Sequence, residues 1–173
     1  MGMLIDISDI LKENGLSKEA GLSVVAADIG VQDQECEFED PMTVTAEFTN
    51  INGMIRAKGH VTVSYTVCCA RCLKPIRRVV DRDIEEEVVR SDLLTAAEDY
   101  YWYTGKELDF GPIVRDAILL DMPVRHLCSA DCKALCPICG KDLNEGDCSC
   151  EAESGGSPFD VLRGFVPEEK PGN

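Results

Sequence analysis

The chain has 173 residues, 45% hydrophobic and 28% charged, which suffices for one compact core and a small appendage but not for two ordinary domains. No run approaches the roughly 18 apolar residues of a membrane span, and 17 basic against 32 acidic residues, a net charge of −15, argue against generic binding of nucleic acid while leaving room for a local basic patch. Ten cysteines direct attention to metal or redox chemistry rather than to a disulfide framework.

Asp6 and Asp9 interrupt the first apolar run, and the first positive charge, Lys12, falls on its wrong side. The N-terminus therefore does not read as a secretory signal, and a cytoplasmic protein is expected. Met3 reads as the natural start, opening a short strand over 3–7, followed by a polar segment and an acidic stretch. In that stretch Asp33, Glu35, Glu37, Glu39 and Asp40 surround Cys36 and Phe38, and the plain reading is a solvated strand edge.

A hairpin follows. Asn52-Gly53 is the preferred pair for a type I′ turn, in which both positions need positive φ. Val44, Ala46 and Phe48 alternate with polar residues before it, and Ile55, Ala57, Val61, Val63, Tyr65 and Val67 do so after it. Pairing Ile51 with Met54 sets Phe48 opposite Ala57, Val44 opposite Val61, and Glu47 opposite Lys58 on the wet face. His60 then lies on the polar face, solvated rather than ligating. Residues 76–90 are rich in β-branched types and suit a third strand, although Ile76, Val80, Ile84 and Val88 recur every four residues and leave a helix open.

The aromatic run Tyr100-Tyr101-Trp102-Tyr103 reads as strand and core in preference to a base-stacking surface. Phe110, Ile113, Val114, Ala117 and Ile118 follow helical spacing, with Asp109 or Gly111 as cap, Pro112 in the first turn and Pro123 as stop. From Cys128 the composition turns cysteine-rich. Residues 154–158 read as a linker, and Phe159, Val161, Leu162 and Phe165 as a short docking segment before a disordered tail.

The cysteines fall into close pairs. Cys136-Pro137-Ile138-Cys139-Gly140 is a metal knuckle, because two intervening residues let both sulfurs reach one ion and the glycine relieves the turn. Cys148 and Cys150 complete four thiolates, the donor set of a closed, structural tetrahedral zinc site, with a single rubredoxin-like iron as competitor. Cys69/Cys72 and Cys128/Cys132 are each half a site, and topology can join them into a second one. The rival reading, a redox Cys-x-x-Cys, suits a helix N-terminus better than the end of a hairpin before Pro75. Cys36 and Cys68 are spare, although Cys68 could replace Cys69 and His126 could replace Cys128. Zinc in such a unit is worth roughly 10–16 kcal/mol, without which the tail could not fold. Arg71, Lys74, Arg77, Arg78 and Arg82 form one basic stretch, readable as a charge-guarded strand edge or as a phosphate or partner contact.

These residues resemble the YceD-like family, the large ribosomal RNA subunit accumulation proteins. The resemblance rests on Cys69-Ala70-Arg71-Cys72-Leu73-Lys74-Pro75 after the hairpin and on the helix between Leu108-Asp109 and Pro123. It continues from Cys128 through Cys136-Pro137-Ile138-Cys139-Gly140 to Cys148 and Cys150, with Ala134 where the family usually carries glycine. Members lacking the last four cysteines keep the earlier pairs, which implies two separate sites.

The expected fold is α+β: an antiparallel β-sheet core with a packed helix over 3–132, a four-cysteine, zinc-ribbon-like appendage over 133–153, and a tail over 154–173. The resemblance implies a non-enzymatic role in synthesis, processing or stability of large-subunit ribosomal RNA. One or two structural zinc ions are expected, with precursor RNA or a basic ribosomal protein as partner and neither membrane nor small-molecule substrate. The residues agree, since no Ser/His/Asp set, phosphate loop or open metal site is found. A zinc-stabilised protein adaptor without ribosomal role is the alternative. A redox protein or nuclease is the third reading.

Overall fold

The computed structural model describes residues 2–31, 36–39, 41–93 and 100–150. Asp33, Glu35 and Asp40 of the acidic stretch, the expected linker, and the docking segment with Phe159, Val161, Leu162 and Phe165 lie outside the described residues. The chain divides into two compact units, Met1–Cys132 and Lys133–Asn173.

The first unit is built on the hairpin of β4 (Met42–Ile51) and β5 (Met54–Cys68). Its register is the one expected, with Ile51 opposite Met54, Glu47 opposite Lys58, Phe48 opposite Ala57 and Val44 opposite Val61. Asn52 and Gly53 turn the chain with φ of 54° and 90°. β6 (Pro75–Arg90) returns antiparallel along the whole of β5. The fourfold spacing that left helix open is every second inward position of a strand: Val80, Ile84 and Val88 are buried, and Arg78, Arg82 and Glu86 alternate with them.

Three strands extend this frame. β2 (Ser17–Val24) pairs antiparallel with β4, β3 (Cys36–Phe38) antiparallel with β5 beyond the end of β4, and β7 (Tyr101–Tyr103) parallel with the end of β6. β2 corrects the expectation of a polar segment after the first strand. β7 bears out strand for the aromatic run, but only Tyr103 is fully buried, whereas Trp102 is 59% exposed. β1 (Leu4–Asp6) and β8 (Glu107–Asp109) form a separate two-stranded sheet.

α1 (Gly111–Asp121) packs against β6 and buries Ile113, Val114 and Ile118. Full burial of such side chains stabilises by roughly 1.5–3 kcal/mol each. The Asp109 carboxylate accepts the Gly111 N–H at 3.0 Å, and Phe110 meets Phe48 edge-on at 5.0 Å between centroids. The chain leaves the helix extended at Met122, before Pro123. Among the described residues no helix is long and apolar enough to cross a membrane.

The other side of the β5–β6 ladder carries charge. Arg56 meets Glu87, Lys58 meets Glu85 at 3.0 Å, and the His60 ring lies between Asp83 at 2.8 Å and Asp81 at 3.0 Å. His60 therefore lies on the polar face, with its ring nitrogens within ion-pair distance of two carboxylates. In the second unit the described residues form neither helix nor strand, only a bridge between Leu135 and Asp142 and a series of turns.

Candidate metal centres

The first centre closes the end of the sheet. Cys69 and Cys72 sit in the turn between β5 and β6, and Cys128 and Cys132 in the loop after α1. Their four sulfurs lie within 4.8 Å of one another, with Cys69 to Cys132 at 3.8 Å and Cys72 to Cys128 at 3.6 Å. A tetrahedral ion about 2.3 Å from each sulfur sets neighbouring sulfurs about 3.8 Å apart, so the donor set fits such an ion in type, number and spacing. Cys136, Cys139, Cys148 and Cys150 form the second set within the same limit, wholly inside the second unit.

The two Cys-x-x-Cys turns have the same backbone. In the first, Leu73 N–H donates to the Cys69 carbonyl at 2.9 Å and Cys69 N–H to the Lys74 carbonyl at 2.8 Å. In the second, Gly140 N–H donates to Cys136 at 2.9 Å and Cys136 N–H to Lys141 at 2.8 Å. Each turn aims two N–H groups at its first sulfur. Those of Cys72 and Arg71 bring the Cys69 thiol down to about 6, and those of Cys139 and Ile138 do the same for Cys136, also to about 6.

The remaining sulfurs oppose ionisation. For Cys72 the Lys74 N–H favours the thiolate, but burial and the sulfurs of Cys69, Cys128 and Cys132 outweigh it and push the thiol up to about 12. Cys150 is pushed to about 12 chiefly by Cys139, and Cys128 upward chiefly by Cys132. Crowded thiols of this kind hold full charge together only around a cation.

One difference separates the two turns. The position after the second cysteine is left-handed in both, with φ of 73° at Gly140 and 58° at Leu73. Glycine adopts that conformation freely, whereas a side chain there costs roughly 1–2 kcal/mol. Ala134, at φ 67°, is a second such residue. The sequence marks Gly140 openly; the only trace of Leu73 is its equivalent place after a Cys-x-x-Cys.

The alternative donors stand apart. Cys68 ends β5 exposed, Cys36 is buried opposite Val67, and the His126 ring packs edge-on against Tyr65 at 5.5 Å. The five cations of the basic stretch do not form one surface. Arg77 grips Glu39 with two 2.6 Å hydrogen bonds and also reaches Ser64. Arg78 and Arg82 point to the opposite face, where Arg78 donates to the Leu127 carbonyl and Arg82 lies 3.7 Å from Asp121. Arg71 donates to the Cys132 carbonyl at 2.9 Å. Lys74 lies in the same turn, two residues past Cys72.

A mostly antiparallel sheet with one packed helix, four thiols at its end and four more in a loop unit define a small β-protein with two thiol groups that could hold metal. The sequence model of the family described as Large ribosomal RNA subunit accumulation protein YceD matches residues 57–166, and the chain belongs to that family. A maize protein named large ribosomal RNA subunit accumulation protein YCED homolog 1, chloroplastic, is 25% identical over 143 residues, 64% of this chain and 49% of that protein. Its Arabidopsis thaliana namesake is 34% identical over 61 residues, 34% of this chain and 19% of that one. An uncharacterized protein of Mycobacterium tuberculosis is 32% identical over 79 residues, 43% of this chain and 38% of its own. The chain thus spans about half the maize relative's length and less of the others. No solved structure matches.

Proposed function

We propose that this chain is a non-enzymatic assembly factor that supports synthesis, processing or stability of large-subunit ribosomal RNA. Membership of the family carries the reading. Both cysteine sets hold structural zinc in this account: Cys69, Cys72, Cys128 and Cys132 tie the loop after α1 to the end of the sheet, and Cys136, Cys139, Cys148 and Cys150 organise the second unit. Four thiolates around a divalent ion leave no position for water, so the ions shape surfaces rather than perform chemistry. Each centre carries a formal −2, partly offset at the first by Arg71.

The protein works in the cytoplasm, on precursor RNA and on basic ribosomal proteins. The net charge of −15 favours encounter with basic proteins. Contact with RNA falls to Arg71, Lys74, Arg77, Arg78 and Arg82. Arg77 and Arg82 would exchange their present carboxylate partners for phosphates.

The test is sucrose-gradient sedimentation of cell extract at low and moderate salt. Migration with large-subunit precursors, lost as salt rises, is expected. Migration at the top of the gradient at both salts contradicts the reading, and one stoichiometric protein partner found there would mark an adaptor without ribosomal role.

A further inference from the structure

Beside the first cysteine centre lies a groove of about 740 Å³ whose walls include Val67, Leu73, Pro75, Val124, Arg125 and His126. Two features of it stand out. Leu73 holds a left-handed backbone, at φ 58°, where the second knuckle uses glycine, yet its side chain is 62% exposed and gains little burial. Val124, across the same groove, is fully exposed. Strain that buys no packing is the mark of a position kept for contact with something else.

Charge is the second feature. Arg56, Lys58, Arg77, Arg82, Arg90 and Arg115 each lie within ion-pair distance of a carboxylate. At the groove the pattern changes. Among the described residues Arg125, in the groove's lining, has no carboxylate partner, and outside the lining Arg71 and Arg78 donate to the carbonyls of Cys132 and Leu127 in the loop after α1. Glu37 is the one carboxylate among the described residues of the groove's lining. Arg125 thus offers, among the described residues, a positive charge without a carboxylate partner in the lining of an apolar cleft.

We infer that this groove binds single-stranded RNA, an unstacked base lying between Leu73 and Val124 with a flanking phosphate on Arg125. The inference rests on the ribosomal reading above and gives it a site. A base offers apolar faces and its backbone a negative charge at each nucleotide, which is the combination the cleft complements. A duplex buries those faces in its own stack and is the poorer ligand.

The test is fluorescence anisotropy of the zinc-loaded full chain with a labelled single-stranded RNA of mixed sequence and with the same RNA annealed as duplex. The single strand should bind tighter. Arg125→Glu should weaken binding by about tenfold and flatten the salt dependence by about 0.7 in logarithmic slope, one phosphate contact on a single strand. Arg56→Glu makes the same charge change away from the groove and should stay within about twofold. Leu73→Gly should weaken binding several-fold while raising the melting temperature, because it removes the knob and the strain together, so loss of binding there is not loss of fold. Duplex bound as well as single strand, or Arg125→Glu indistinguishable from Arg56→Glu, overturns the inference. Displacement of the RNA by poly-glutamate at equal residue concentration also overturns it and assigns the groove to acidic polypeptide. Wild type and both groove variants migrating alike with large-subunit precursors would sink the groove alone, whereas wild type absent from those fractions sinks the ribosomal reading itself.

Discussion

Asn50 is the one polar side chain among the buried residues of the described chain, and it is fully employed. Its amide donates to the carbonyls of Ile10 at 2.9 Å and Glu13 at 3.1 Å, and its carbonyl accepts the Gly53 N–H at 2.8 Å. It ties the first turn of the chain to the hairpin loop. Asn50→Ala should therefore destabilise by about 1–3 kcal/mol, because it strands buried backbone groups, with the loss read from the urea midpoint. A change within experimental error would mean that water replaces the amide without cost. Ala134 predicts the opposite sign. Its φ of 67° lies in the left-handed region that glycine adopts freely, so Ala134→Gly should stabilise the zinc-loaded second unit by about 1 kcal/mol, measured as slower loss of metal to a chelator. Faster loss would contradict it. Ala134 was legible as a departure from the family's pattern. Asn50 was not, since an asparagine before a turn reads first as turn chemistry and its partners lie about 40 residues away.

At the scale of elements, the hairpin was legible because two independent signals agree on it: the Asn-Gly turn and the alternation on both arms. β2 escaped for a physical reason. It is an edge strand whose inward positions, Lys18, Ala20 and Leu22, are only half-buried, so no apolar stripe marks it. β6 was ambiguous because its inward face alternates apolar with charged residues, which turns a period of two into an apparent period of four. The β5–β6 ladder carries a pH prediction. His60 has its pKa raised above 6.5, first by the hydrogen bond to Asp83 and then by the charge of Asp81. A group whose folded pKa is raised contributes stability that is complete below the unfolded value and is lost as pH rises through the folded one. The stability difference between wild type and His60→Gln should accordingly be largest in mild acid and vanish at alkaline pH. A difference independent of pH would show that the ring acts by packing and not by charge.

At the scale of the whole molecule, the cysteine sets could be grouped from sequence because each pair is incomplete alone and the fold need only bring ends together. Cys69 and Cys132 are 63 residues apart in sequence and 3.8 Å apart in space. The groove was not legible, since its walls come from three distant segments, and the basic stretch was misleading as a single surface because a strand sends neighbouring side chains to opposite faces. Native mass spectrometry should find two zinc ions per chain, one lost in Cys69→Ser and one in Cys136→Ser. Hydrogen exchange should then show only the second unit unprotected in Cys136→Ser, because its described residues contain no strand or helix to hold it without metal. One ion per chain, or loss of both ions from either variant, would contradict two separate centres. The measurement closest to the central claim is the ratio of large- to small-subunit ribosomal RNA in cells depleted of this protein. The account predicts a fall in that ratio, restored by the wild-type chain and not by Cys69→Ser. An unchanged ratio after complete depletion would contradict it.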